Sequence, residues 1–210
     1  MNRRLFLRLS TGLTVSSAAL TWLFIRPAFA QDVDVNAVLS DPEAPTGGNP
    51  KGDVTIVAFL DYNCPFCKKS APDLDKIVKT DGKIRLVYKD WPILTEASVY
   101  GAQLALAANY QGKYETAHAA LMAIPGRKIG QDKMLAAVKA SGVDMARLQS
   151  DLKKNGPNIM ALLKRNLAQA DSLGMNGTPT YLIGPFRTST LDYPGFKEAV
   201  AEARRRQAAK

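Results

Sequence analysis

The chain holds two cysteines, Cys64 and Cys67, both inside DYNCPFCKKSAP at residues 61–72. Two thiols that close together can chelate, staple or exchange. A closed zinc site needs about four ligands, and this chain adds one histidine, His118, far along the sequence. A disulfide across so short a loop constrains the unfolded chain little. A thiolate pair also suits Cu(I), so a Cu(I)-binding thiol module is kept as an alternative of another class. Exchange uses both sulfurs: one thiolate reacts with a disulfide and the other resolves the mixed disulfide. This makes Cys64 the nucleophile and Cys67 the resolver, with no cofactor and no resident metal. A cysteine hydrolase built on Cys64 and His118 would leave Cys67 unexplained.

The pair has to be positioned by its neighbours. VTIVAFL at 54–60 is a continuous β-branched and aromatic run, the pattern of a strand buried on both faces. Pro65 suits the first position of a helix, which places Cys64 at the N-cap, where unpaired backbone N–H groups and the helix dipole favour a thiolate. Lys68 and Lys69 add positive charge nearby, although exposed lysines are commonplace. A helix over 65–80 leads into KIRLVYKDW at 83–91, a strand in which Ile84, Leu86 and Tyr88 alternate with charged or smaller residues. Together these form a βαβ unit with parallel strands.

Helical segments then run from about Glu96 to Leu173, separated by Gly112, Pro125-Gly126, Gly142 and Gly156-Pro157. Ile159, Leu162, Leu163 and Leu167 trace the apolar face of the last one. TPTYLIG at 178–184 reads as a strand, PFRTSTLDY as a hairpin turn and edge strand, and PGFKEAVAEARRR as a closing helix with Pro194 near its start. Trp91 and Tyr100 are read as core residues.

The first thirty residues differ in kind. A basic start with Arg3, Arg4 and Arg8 precedes an apolar run, with small residues at Ala28 and Ala30, which predicts a signal peptide cut after Ala30 and a periplasmic mature protein. RRLFLR resembles a twin-arginine export signal. Removing this segment lowers the formal charge from +9 to +5. Arg204, Arg205, Arg206 and Lys210 carry most of what remains, so the body is near neutral and nucleic acid is not an expected partner. The basic tail reads as the solvated end of a helix. Residues 31–53 are turn-rich and read as a lead-in with at most a short edge strand, too short for a separate dimerisation domain.

FLDYNCPFCKK, YKDWPIL, QGKYETAHAALM and GMNGTPTYLIG, in this order, resemble the DsbA-like thiol:disulfide oxidoreductases, in particular the branch of the Com1 and suppressor-of-copper-sensitivity thiol proteins. The resemblance covers nearly all of residues 40–205, and Pro72 matches the kinking proline of the motif helix. It implies an α/β thioredoxin-like fold over 54–210, with a helical insertion at about 96–173 between a βαβ half and a C-terminal ββα half. It further implies a cis-proline loop at Thr178-Pro179 that docks extended substrate beside Cys64, with Thr178, Pro65 and Phe66 tuning the thiolate or touching substrate. Expected partners are protein thiols or disulfides and a membrane redox partner that recycles the pair.

Two positions depart from the family's pattern. Ala58 stands where relatives carry a buried acid, which leaves water, Asp61 or another group to move the Cys67 proton. Phe66 stands where strongly oxidising relatives have histidine, which predicts a less stabilised thiolate. The oxidase sense is preferred because the lead-in is short; Thr178 resembles isomerases and reductases, which form the alternative.

Overall fold

The computed structural model describes residues 34–209, so the segment read as a signal peptide, residues 1–30, lies outside the described residues. Five strands form one sheet: β1 (Thr46–Gly48), β2 (Val54–Leu60), β3 (Ile84–Asp90), β4 (Thr180–Ile183) and β5 (Phe186–Thr188), in spatial order β1-β3-β2-β4-β5. β2 and β3 are parallel, and the other neighbours are antiparallel. Seven helices are described: α1 (Val35–Leu39), α2 (Pro65–Asp81), α3 (Glu96–Asn109), α4 (Tyr114–Met122), α5 (Gln131–Ala140), α6 (Met145–Ser172) and α7 (Tyr193–Ala208). This is the α/β thioredoxin-like arrangement with its helical insertion, as the resemblance implied. The sheet also draws β1 from the segment read as a lead-in.

β2 sits at the centre because both its faces are apolar. Ile56, Ala58 and Leu60 join the larger core with α2, α7 and the insertion, whereas Val57 and Phe59 pack on the other face with Val38, Trp91 and Ala170. The alternation read in β3 is only half of its pattern, because Val87 and Lys89 are buried as well. Lys89 is tolerated there because its ammonium reaches the Asp41 carboxylate at 3.0 Å. Arg165 of α6 closes on the same carboxylate at 2.9 and 3.0 Å. Burial opposes ionisation of Asp41, but Arg165 and Lys89 outweigh it and hold the carboxyl at about 2.

The insertion differs from its sequence reading in one element. Gly156-Pro157 does not divide two helices; α6 runs through it for 28 residues. Proline removes one backbone hydrogen bond, and here the apolar residues on either side, Leu148 before it and Ile159, Leu162 and Leu163 after it, are all buried in the same core. Leu167 leaves that face, being 43 % exposed, and the buried stripe continues through Asn166 and Ala170. Gly101 lets α3 lie close to its neighbours: a Cβ there would stand 2.8 Å from Met134 Sδ and 3.3 Å from the Tyr62 ring.

The tail also departs from a purely solvated end. Arg204 binds the Asp53 and Asp81 carboxylates, tying α7 to the loop before β2 and to the last turn of α2. Arg205 and Arg206 pair with Glu202 on the helix surface.

Asp41→Ala would leave the buried Lys89 ammonium without its carboxylate, and urea titration is expected to show a loss of about 3–5 kcal/mol. Replacing Asp41 and Lys89 together by leucine and methionine should recover most of that loss.

Candidate active site

The cysteine pair lies where β2 ends and α2 begins. Cys64 is the N-cap of α2, with extended backbone, and its sulfur accepts the Cys67 backbone N–H at 3.3 Å. Pro65 follows at the first helical position, where its missing N–H leaves nothing unpaired. Both cysteines are thiols and both are buried. Phe66, between them, is 55 % exposed.

Across from the pair, the Thr178–Pro179 peptide is cis. As a thiol, Cys64 donates to the Thr178 carbonyl at 3.1 Å. The Thr178 hydroxyl is buried beside the pair and has no hydrogen-bond partner among the described residues. Phe66, Gly177, Thr178, Pro179 and Thr190 line a shallow cleft beside the sulfur. The structure thus gathers Cys64, Pro65, Phe66, Cys67, Thr178 and Pro179 in one place from two ends of the sequence.

The two thiols are electrostatically unequal. Hydrogen bonding from the Cys67 thiol is the largest influence on Cys64; it outweighs the opposing burial, and the nearby Thr178 side chain and the N–H groups of Cys67 and Phe66 act in the same direction. The result brings Cys64 down to about 6. That value lies above the roughly 3.5 of the most acidic catalytic thiols. Cys67 is pushed far above the ordinary thiol value, first by its own burial and then by the neighbouring Cys64. One sulfur is therefore poised to react, while the other stays protonated until the pair is opened.

Asp61, a sequence candidate for moving the Cys67 proton, is committed elsewhere. Its carboxylate accepts the backbone N–H groups of Asn63, Ile93 and Leu94 at 2.7, 2.9 and 3.0 Å. It therefore fixes the loop in front of α2 against the loop after β3. At Ala58 the neighbouring strands supply tyrosines, Tyr88 on one side and Tyr181 on the other. The Tyr181 hydroxyl meets the Ser70 hydroxyl at 2.5 Å, and Ser70 is buried one turn after Cys67 on the same face of α2. Burial, and then charge on the two cysteines, raises the Tyr181 phenol, so it remains a neutral hydroxyl.

His118 is held by tyrosines. It is buried among Tyr62, Tyr88 and Tyr114, with Nδ1 3.0 Å from the Tyr62 hydroxyl, and burial lowers it to about 4. The packed-histidine reading holds. Trp91 is likewise core, edge-on to Phe59. Three polar residues escaped the sequence reading. Asn63 joins the site to the loop before α5, accepting the Ile129 N–H at 2.6 Å and donating to the Ile129 carbonyl at 3.2 Å. Ser70 carries no motif signal. Asp90 is buried beneath the tyrosines and accepts the Tyr114 hydroxyl at 3.1 Å, and desolvation raises it to about 7. Lys68 is half-buried, its ammonium donating to the Ile124 carbonyl at 2.6 Å, whereas Lys69 is exposed.

A cysteine pair at the mouth of the helix after β2, on a sheet of this strand order, is the site of a thioredoxin-fold thiol:disulfide oxidoreductase. The family described as Thioredoxin matches residues 40–202. The chain belongs to that family. A thioredoxin-like oxidoreductase from Silicibacter pomeroyi DSS-3 is 38% identical, with a TM-score of 0.75 covering 81% of this chain and 97% of that one. The thiol-disulfide exchange protein α-DsbA2 of Wolbachia pipientis is 30% identical, with a TM-score of 0.74 covering 80% and 90%. A curated relative, the Na(+)/H(+) antiporter NhaA 1 of Salinispora arenicola (strain CNS-205), is 25% identical over 188 residues. Those residues make up 81% of this chain and 28% of the antiporter, so the chain spans under a third of that relative's length. Among the described residues, no helix is long and apolar enough to cross a membrane.

Ultraviolet titration of the reduced protein is expected to show a thiolate midpoint near 6, and Thr178→Val should move it upward. Linkage fixes the sign for stability. Cys64 is depressed from 9.0, so its contribution is complete above pH 9.0 and lost as pH falls through about 6. Cys67 is raised, so its contribution is complete below 9.0 and lost at higher pH. Urea stability of the reduced protein, relative to a Cys64→Ser/Cys67→Ser variant, should climb from about pH 6 to 9.0. A flat profile would contradict the assignment.

Proposed function

We propose that this protein is an exported oxidase of protein thiols that works through Cys64 and Cys67, with Pro65, Phe66, Thr178 and Pro179 bordering the reacting sulfur. The observation that carries the reading is the Cys64 sulfur at the head of α2, its acidity raised, 3.3 Å from the Cys67 N–H and 3.1 Å from the Thr178 carbonyl. A stabilised thiolate favours the reduced form of the pair and so makes its disulfide the stronger oxidant.

In the oxidised protein a client thiolate attacks the Cys64 sulfur, the S–S bond breaks and Cys67 leaves, taking up a proton. The client's second thiolate then attacks its own sulfur in the mixed disulfide and releases Cys64 as a thiolate. The client loses two electrons and the pair gains them. The reduced pair is returned to its disulfide by a disulfide-bearing membrane partner. Thr178 and Pro179 lie beside the reacting sulfur with the Thr178 carbonyl turned toward it, so an extended client is expected to pair its backbone there. Export to the periplasm follows from the basic and apolar start of the chain and the small residues before Gln31.

Oxidised protein should restore activity to reduced, unfolded ribonuclease, and the same protein should be offered scrambled ribonuclease in parallel. Recovery confined to the scrambled substrate would replace the oxidase by an isomerase. Cys64→Ser is expected to abolish exchange, and Cys67→Ser to accumulate mixed disulfides visible on non-reducing gels. Full activity in both variants would remove the mechanism.

A further inference from the structure

A groove of about 650 Å³ lies between α2 and α4 and shares no lining residue with the cleft that holds Phe66, Thr178 and Pro179. It begins at Pro65, next to the reactive sulfur, and its apolar lining includes Pro72, Ala119, Met122 and Ile124. Along α2 it reaches Asp75, about 15 Å from Pro65 at helical rise, a length that accepts four or five extended residues.

Its walls are held in place at the Cys64 end. The loop after α4 is fastened to Asn63, the residue before Cys64, by the paired hydrogen bonds with Ile129, and to α2 by the Lys68 ammonium on the Ile124 carbonyl. Lys68, Lys69 and Arg127 border the groove in this region, and the positive end of the α2 dipole adds to them. Its one carboxylate, Asp75, lies at the far end and holds Lys79 at 2.7 Å. The groove is thus apolar along its length and cationic where it opens beside the reactive sulfur.

We infer that this groove docks an acidic and apolar segment of the protein whose cysteine reacts at Cys64. Carboxylates of the segment face Lys69 and Arg127 near the sulfur, and an apolar side chain settles over Met122 and Ile124. The inference rests on the exchange reaction proposed above and adds a selection among its clients. The cis-proline cleft grips backbone next to the cysteine, while the α2/α4 groove reads side chains a few residues away.

The test uses dithiol peptides that differ only in a five-residue extension on either side of the cysteine motif: acidic and apolar, neutral, or basic. Their oxidation by the Cys64–Cys67 disulfide is followed at low and high salt, with dithiothreitol as a reagent too small to span the groove. The acidic-apolar peptide is expected to react roughly fivefold to tenfold faster than the basic one at low salt, with the gap closing as salt rises. Arg127→Glu should erase or invert the preference, and Ala119→Trp, which fills the groove from an exposed helix position, should remove it. Both variants should oxidise dithiothreitol at the wild-type rate.

Serine-substituted peptides bound to the Cys64→Ser/Cys67→Ser protein report docking without redox chemistry, through nuclear magnetic resonance shifts at Ala119, Met122 and Arg127. Equal rates for the three extensions at low salt, or shifts confined to the Phe66–Thr178 cleft, would overturn the inference. Failure of the wild-type disulfide to oxidise dithiothreitol would instead overturn the exchange reading and leave the docking measurement standing.

Discussion

A helix N-terminus presents backbone N–H groups that no residue of the same helix can satisfy, and in this protein the first acceptor they meet is a sulfur. Cys64 serves as the cap that Thr or Asp supplies for other helices: Thr95 for α3, Asp144 for α6 and Asp192 for α7. A cap has to accept hydrogen bonds, and a thiolate accepts far better than a thiol, so local helix energetics and redox chemistry favour the same protonation state. Much of the surrounding structure keeps that sulfur in position. β2, buried on both faces, delivers it to the end of the sheet. Asp61 and Asn63 anchor the residues just before it to two other loops, the one after β3 and the one before α5, and Thr178 closes over it from the far end of the chain.

The parts of this arrangement legible in the sequence were those governed by local rules. A continuous β-branched run ending one turn short of Cys-Pro specifies both the strand and the capping position, and Gly-Thr-Pro marks the turn that completes the site. What escaped were pairings set by tertiary geometry. Lys89 reads as a solvent-facing charge in an alternating strand, and only the approach of Asp41 and Arg165 from elements far apart in sequence explains its burial. Gly156-Pro157 reads as a helix break, and continuous packing on both sides overrides the local penalty. Asp61 offers itself as a proton carrier by proximity, yet its carboxylate is occupied in ordering two loops.

Ala58 shows how a departure from a family pattern is absorbed. Without an acid at that position, Tyr88 and Tyr181 flank it across the sheet, and the Tyr181 hydroxyl closes on Ser70 of α2. The Tyr181–Ser70 pair is neutral, so it adds no charge that would compete with the thiolate. Of the two buried acids in this region, Asp61 is taken up by backbone N–H groups, and Asp90, set under a cluster of tyrosines, is held toward its neutral form by burial.

Helix α6 has a further consequence. It packs in the helical insertion against α3 as far as Met160, which meets Gln103, and its last turns lie on the sheet, with Arg165 on Asp41, Asn166 donating to the Asp90 carbonyl and Ala170 in the core of the far face. A single beam about 42 Å long, by helical rise, therefore spans insertion and sheet. Jaw-like opening of the insertion against the sheet would have to bend that beam or break its Arg165–Asp41 ion pair. Continuity of this helix therefore opposes independent movement of the insertion and the sheet beside Cys64.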